Sequence, residues 1–200
     1  MVTMPVRHAR ARRMPPAARR EALIDATLPL VLWYGPRVTT RQIAEAADVA
    51  EGTIFRVFEG KEALIRAVTE RAFDPGPTLA EIAAIEPALP LRARLLRLVE
   101  ILQSRLDTVF TLINALGMKG PPPDGHRPRL VNEQFRDAIV ELVGDDRAQL
   151  RVPPVELAAA LRMLVFSSTH PMINDGNPLT AEQIVGILLD GLSIRGDRAC

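Results

Sequence analysis

The chain has 200 residues, of which 48% are hydrophobic and 24% charged, so it can bury a core and is not expected to be disordered. Aromatic residues make up only 4%, and the prevalence of Ala, Leu and Arg favours helix over sheet. The net charge of +1 hides an asymmetry: residues 1–58 hold nine arginines against five carboxylates, so only the first part of the chain should attract a polyanion.

No segment reaches the roughly 18 uninterrupted apolar residues of a membrane span, because Pro29 and Gly35 break the longest candidate. The basic residues 1–15 are not followed by the apolar segment and cleavage site of a secretory signal. We therefore expect a cytoplasmic protein that does not contact membrane. Cys200 is the single cysteine, so no intrachain disulfide is possible.

A helical period runs through nearly the whole chain, which predicts an all-α fold of about nine helices. The first domain, residues 1–60, is expected to hold a flexible basic arm over residues 1–15 and three helices. A second, larger helical domain is expected over residues 61–200. The predicted helices cover residues 16–34, 40–46, 51–57, 61–74, 77–86, 91–116, 129–143, 153–169 and 180–193.

The second and third helices are too short to be stable alone, so packing must hold them. Thr39 and Gln42 have the spacing of a capping box, and Asp48 can adopt the left-handed backbone of a sharp turn. Two short helices around such a turn predict a helix-turn-helix. Its inward residues are expected to be Ile43, Ala44, Ala47, Val49, Ile54 and Phe58.

The outward face of this motif is predicted to contact DNA, because the third helix would fit end-on into the major groove. The side chains available to read bases there are those of Glu51, Gly52, Thr53, Phe55 and Arg56. The starts of the second and fourth helices are suited to phosphate oxygens, and the residues there are Thr39, Thr40, Arg41 and Lys61. We favour a role for Glu51 at the positive end of the helix dipole, and two alternatives stay open: Glu51 accepts a hydrogen bond from cytosine, or it repels phosphate.

The segment TTRQIAEAADVAEGTIFRVFEGKEALIRAV, residues 39–68, resembles the DNA-binding region of TetR family (tetracycline-repressor-like) transcriptional regulators. The family pattern is approximately T-x-x-x-I-A-x-x-A-G-V-s-x-G-t-l-Y-x-x-F-x-s-K-x-x-L. The chain departs from it at Asp48 (usually glycine), Ala50 (often a capping serine), Phe55 (commonly tyrosine) and Gly60 (normally small and polar). Phe55 lacks the hydroxyl that the resemblance would place on a phosphate, so stacking on a sugar or a thymine methyl would replace that contact.

The resemblance implies that residues beyond about 75 form a domain that binds an effector and dimerises. The sequence supports dimerisation independently, because the last helix is apolar on nearly all sides and needs more cover than one domain edge provides. Burial within a single chain is the alternative. The predicted dimer residues, on this helix and the one before it, are Leu161, Leu164, Val165, Ile184, Ile187, Leu188 and Leu192.

The effector pocket is expected between the long helix 91–116 and helix 153–169, and we expect an apolar small molecule. Its candidate lining residues are Arg105, Phe110, Asn114, Met163, Phe166 and Ser167. Methionine and phenylalanine at helical spacing are also typical of an ordinary core, and an arginine of this set can equally lie on the surface.

These features predict a sequence-specific DNA-binding regulator, a repressor that binds a pseudo-palindromic operator as a homodimer. By the resemblance, a small-molecule effector releases it by shifting the population toward a dimer that no longer fits the operator. The alternatives are an effector-independent DNA-binding protein, either a constitutive repressor or an architectural protein, and more remotely a small helical enzyme. The sequence contains no phosphate-cradling glycine loop, no G-x-S-x-G and no metal-ligand spacing of histidines, so we predict no catalytic residue, metal or cofactor.

Overall fold

The computed structural model describes residues 15–122 and 128–192, so the predicted basic arm lies outside the described residues except for Pro15. The described residues contain no β-strand, which confirms the all-α prediction. The α-helices are α1 (Pro16–Tyr34), α2 (Thr40–Ala46), α3 (Ile54–Val57), α4 (Lys61–Phe73), α5 (Gly76–Ala83), α6 (Leu91–Ala115), α7 (Pro128–Val143), α8 (Pro154–Thr169) and α9 (Ala181–Leu192). Shorter 3-10 turns cover Gly35–Arg37, Glu51–Thr53 and Gly144–Gln149.

The chain divides into two compact units, the first ending at Val68 and the second beginning at Thr69. The division falls inside α4, whereas the sequence placed the domain boundary before α4, between residues 60 and 61. Helix α4 therefore begins in the first unit and ends in the second.

The first unit is built around a small apolar core to which every helix contributes. α1 continues through Pro29 and ends at Gly35, whose φ of 57° takes the left-handed conformation that glycine adopts without strain. The Gly35 N–H donates to the carbonyl oxygen of Val31, one turn back. The fully buried side chains of this core are Leu23, Val31, Val38, Ile43, Ile54 and Leu64.

The second unit packs α5, α7, α8 and α9 around the long helix α6 or against one another. Apolar residues at helical spacing are buried along the first half of α6, at Leu91, Leu95, Leu98 and Leu102. Further along, Val109 and Leu112 are buried, whereas Ile113 is half-buried.

Arg94 of α6 is a buried charge that the sequence did not single out. Its guanidinium forms an ion pair with Asp146, and its Nε donates to the carbonyl oxygen of Leu89 at 3.0 Å. A further N–H donates to the carbonyl oxygen of Leu142. These bonds offset the cost of burying the charge and hold the 3-10 turn after α7 against α6.

Among the described residues, no helix combines the length and the apolar character that crossing a membrane requires. In the same residues, His, Cys, Asp and Glu side chains form no group of three placed to hold a metal ion.

Candidate nucleic-acid interface

The turn between α2 and α3 is closed by main-chain hydrogen bonds. The Ala47 N–H donates to the Ile43 oxygen at 2.9 Å, and the Val49 N–H donates to the Ala44 oxygen at 3.0 Å. Asp48 lies between these two donors with a φ of 50°. The left-handed conformation predicted for Asp48 is therefore confirmed, and it turns the chain from α2 toward α3.

The packing of this motif follows the predicted inward face, with one difference at the turn. Of the predicted core residues, four are buried: Ile43, Ala44, Ile54 and Phe58. Ala47 and Val49 are only half-buried. They flank Asp48 in the turn between α2 and α3, and the turn lies at the edge of the core.

The recognition segment, which we define as Glu51–Val57, begins with the 3-10 turn and continues as α3. Its inward side is fixed by Ile54, which is fully buried, and by Phe58 directly after it. The guanidinium of Arg20, on α1, lies 4.6 Å from the centre of the Phe58 ring. Because these contacts hold one side of the segment, its other side points away from the unit.

The outward side of the recognition segment carries the predicted base-reading residues. Phe55 exposes 56% of its surface, and Glu51, Gly52 and Arg56 are also exposed, while Thr53 is half-buried. A methyl group added at Gly52 would meet no atom within 4 Å, and the φ of Gly52 lies outside the left-handed region. The first unit itself therefore does not require glycine here, and the open space permits close approach of a partner.

The start of α2 is ordered by the predicted capping box. The Thr39 hydroxyl accepts the Gln42 N–H at 3.2 Å, and the Gln42 side-chain oxygen accepts the Thr39 N–H at 2.9 Å. The hydroxyl of Thr40 donates to the carboxylate of Glu51. This bond joins the start of α2 to the start of the recognition segment, a contact of Glu51 that the sequence did not predict.

Two predicted phosphate-contacting cations already have partners within the first unit. Arg41 pairs with Glu45 at 3.0 Å, but the side chains are 82% and 66% exposed, and such pairs contribute little. The Lys61 ammonium donates to the carbonyl oxygen of Pro36 at 3.0 Å. This contact alone does not occupy the group, because an ammonium carries three N–H donors.

The predicted effector-pocket residues of the second unit differ in their exposure. The rings of Phe110 and Phe166 pack edge to face with centroids 5.3 Å apart, and His170 joins them at 4.7 Å from Phe110. Met163 is 65% exposed, and Asn114 is exposed as well. Phe166 is also exposed, whereas Phe110 is half-buried, so the set combines exposed and half-buried side chains, and its role in binding an effector stays a prediction.

Arg105 and Ser167 complete the predicted pocket set. Ser167 is half-buried. Arg105 donates to the carbonyl oxygens of Phe73 and Asp74, so its guanidinium is engaged with main chain inside the second unit. This engagement differs from the expected contact with a ligand.

A groove of about 540 Å³ opens between α5 and α6 in the second unit. Its apolar lining includes Ile85, Leu89 and Ile101, and Arg97 pairs with Glu100 along it at 3.2 Å. None of the residues predicted for the effector pocket lines this groove.

The predicted dimer residues need correction, because four of them are buried within a single chain. The four, each no more than 2% exposed, are Leu161, Val165, Ile184 and Leu188. They belong to the core that includes α6. Leu164 is half-buried, and the Leu192 side chain is outside the described part of the structure. The prediction treated the last helix as apolar on nearly all sides, but α9 exposes Glu182, Gln183 and Asp190. Its opposite side, with Ile184 and Leu188, therefore packs inward within one chain.

The apolar residues that α8 and α9 expose lie on the outer side of the second unit. We define the outer stripe as Val155, Ala159, Met163 and Phe166 of α8 with Ile187 of α9, all of them exposed. Spacings of four, four and three residues put the α8 members on one helix face. Of the predicted dimer residues, Ile187 belongs to this stripe, at 52% exposure.

Residues 23–68 match a protein family described as bacterial regulatory proteins, tetR family. A curated relative, the uncharacterized HTH-type transcriptional regulator YvkB of Bacillus subtilis, is 43% identical over 56 residues. That match covers 28% of this chain and 29% of the relative's own length.

Solved structures resemble the chain over most of its length. The TetR transcriptional regulator SCO0520 from Streptomyces coelicolor is 20% identical with a TM-score of 0.60, over 88% of this chain and 99% of that one. SmeT, the repressor of the Stenotrophomonas maltophilia multidrug efflux pump SmeDEF, is 19% identical with a TM-score of 0.56, over 90% and 93%. At such identities the likeness establishes the fold of both units.

Proposed function

We propose that the chain is a sequence-specific DNA-binding regulator that represses transcription, and the match of residues 23–68 to the tetR family of bacterial regulatory proteins supports this proposal. The observation that carries this proposal is the recognition segment, whose inward side is buried and whose outward side exposes Phe55 and Arg56. A short helix held in this way suits the major groove. The proteins it resembles are described as regulators and repressors, which argues against an enzyme.

Within this proposal some of the outward residues contact bases and others contact phosphates. Arg56 supplies a guanidinium for a guanine edge, and the Phe55 ring packs on a sugar or a thymine methyl. Arg41 and Lys61 contact phosphates on either side, with Thr39 and Thr40 near the start of α2. Glu51 reads a cytosine amino group when it exchanges the Thr40 hydroxyl for the base, and otherwise remains in the Thr40 contact.

A homodimer is the second part of the proposal, and the outer stripe supports it. An exposed face of Val155, Met163, Phe166 and Ile187 on two adjacent helices fits a self-complementary two-fold contact. Two-fold symmetry would set two recognition segments about 34–36 Å apart, one turn of DNA, and so require a pseudo-palindromic operator.

A small-molecule effector is the third part. We place it in the second unit, whose groove between α5 and α6 offers an apolar floor for an apolar ligand. Binding would lower operator affinity only as far as the ligand prefers the state that does not fit DNA. A protein whose partner is the chromosome would work in the cytoplasm.

The DNA-binding proposal is tested with duplexes selected from a random pool by the purified protein. We expect Arg56→Ala to relax sequence preference, because a base-edge contact is lost. We expect Lys61→Ala to weaken binding to all sequences and to lower the salt dependence by about one counterion. Binding is measured by fluorescence anisotropy across a salt series.

Arg92→Ala is the matched control, since Arg92 is an exposed arginine on α6 of the second unit. It should leave both affinity and preference unchanged. Selection that yields no enriched sequence would overturn the proposal, and an Arg56→Ala protein as selective as the wild type would remove Arg56 from base reading. Apolar compounds are first screened by thermal shift, and those that bind are then added to the operator-binding assay. If none of them changes operator affinity, an effector-independent repressor is favoured.

A further inference from the structure

Helix α4 is the covalent connection between the two units, and a basic side chain holds each of its ends. It runs from Lys61 to Phe73, across the division between Val68 and Thr69. At its first residue, the Lys61 ammonium donates to the Pro36 oxygen at 3.0 Å, inside the first unit. The side chain at the other end belongs to Arg105, on α6 of the second unit.

Arg105 binds the C-terminal end of α4 through its guanidinium. Nη2 donates to the Phe73 oxygen at 2.9 Å, and Nη1 donates to the Asp74 oxygen at 2.7 Å. The last carbonyls of a helix lack partners within the helix, and its negative dipole end favours a cation. Arg105 supplies both the donors and the charge that this end of α4 requires.

The same guanidinium also contacts two other helices, which fixes its own position. Nη1 donates to the hydroxyl of Thr78 on α5 at 3.2 Å, and the guanidinium lies 5.5 Å from the centre of the Phe135 ring on α7. Burial lowers the pKa of Arg105, and the charge of Asp74 acts against that shift. Arg105 therefore joins the end of α4 to α5, α6 and α7 at a single point.

We propose that Arg105 is a positioning residue for operator binding, which holds the end of α4 and thereby limits the arrangements open to the DNA-binding unit at its other end. The inference rests on the proposed function. If Arg105 is replaced, the end of α4 is no longer held, and only a fraction of the molecules is in the conformation that fits the operator. Apparent affinity falls in proportion to the fraction of molecules in the competent state.

Arg94 provides a matched control on the same helix. It is a buried arginine with hydrogen bonds to the Leu89 and Leu142 oxygens and an ion pair with Asp146, all within the second unit. None of these three contacts involves α4. Replacing Arg94 removes a comparable set of bonds from the second unit and leaves the hydrogen bonds between Arg105 and the end of α4 intact.

The experiment compares the full-length variants Arg105→Met, Arg105→Lys and Arg94→Met with the wild type. Operator affinity is measured by anisotropy, thermal stability by calorimetry, and amide exchange at the C-terminal end of α4 by mass spectrometry. We expect Arg105→Met to weaken operator binding by about tenfold and to accelerate that exchange, as a fall in the competent fraction requires. Arg94→Met should lower thermal stability and leave operator affinity near that of the wild type.

Arg105→Lys keeps the charge but loses the paired donors, so its affinity should fall between those of the wild type and Arg105→Met. If Arg105→Met does not fold, the comparison of Arg105→Lys with the wild type tests the inference on its own. Equal affinities for wild type, Arg105→Met and Arg105→Lys would overturn the inference while the proposed function stands, and so would an equal loss in Arg94→Met. A wild-type protein that binds no selected duplex would overturn the proposed function and this inference together.

Discussion

At the scale of single residues, the recognition segment separates the demands of folding from those of binding. Ile54 and Phe58 are buried, and any replacement there disturbs the core of the first unit. Gly52, before this pair, and Phe55, between the two, face outward, and a methyl group added at Gly52 would meet no atom of the first unit. Variants of these outward residues therefore test binding with little interference from folding.

Gly52→Ala is the sharpest of these variants. Because the added methyl meets open space, the first unit should keep its stability or gain about 0.5 kcal/mol from the smaller entropy of the unfolded chain. The same methyl would obstruct close approach to DNA, and we expect operator affinity to fall about tenfold, equivalent to about 1.4 kcal/mol. Calorimetry and anisotropy measure the two effects separately.

Gly120→Ala is the control for Gly52→Ala, since a methyl at Gly120 in the second unit also meets open space. That variant should change neither quantity appreciably. If Gly52→Ala bound the operator as tightly as the wild type, the segment would not approach DNA at Gly52.

At the scale of elements, the sequence predicted those parts that local chemistry decides. The capping box at Thr39 and the left-handed Asp48 follow from residue types alone, and both are observed. The second unit was harder, because packing partners decide it. α8 has apolar residues on most of its sides, so the pattern could not show that Leu161 packs inward and Met163 outward. The contacts of Arg105 with residues 73 and 74 could not be predicted from the sequence either. They join positions about 30 residues apart, and the acceptors are main-chain oxygens that every residue carries.

The turn of the helix-turn-helix yields a prediction about stability. Asp48 holds a left-handed φ of 50°, a position where the tetR-like pattern has glycine. Asp48→Gly should stabilise the α2–α3 pair by about 0.5–1 kcal/mol, because glycine adopts this conformation without a clash at Cβ. Slower amide exchange in α2 would report the gain.

Asp175 offers a matched comparison for the turn, with a φ of 48° in the second unit. Asp175→Gly should leave amide exchange in α2 unchanged. Asp48→Ala should destabilise the turn, because alanine adopts the left-handed conformation less readily than aspartate does. Faster exchange in Asp48→Gly than in the wild type would contradict this account of the turn.

At the scale of the whole molecule, the proposed repressor is a symmetric pair in which the outer stripe of one copy covers that of the other. Met163→Glu would place a charge within that contact, where no partner is prepared for it. We expect this variant to sediment as a single chain of 22.0 kDa at concentrations where the wild type sediments as a pair. Leu130→Glu on α7 is the control, because Leu130 is also exposed but lies outside the outer stripe. A paired Met163→Glu protein would place the dimer contact elsewhere.

The symmetric pair also predicts how binding depends on the operator's spacing. A DNA turn holds about 10.5 base pairs, so five base pairs inserted between the half-sites would rotate them to opposite faces of the duplex. A pair joined through the outer stripe cannot then engage both half-sites, and affinity should fall to that of a single half-site. Met163→Glu, which binds one half-site at a time, should bind the parent and the lengthened operator equally. If the wild-type protein were also indifferent to the insertion, its two DNA-binding units would act independently, and the two-fold assembly would play no part in recognition.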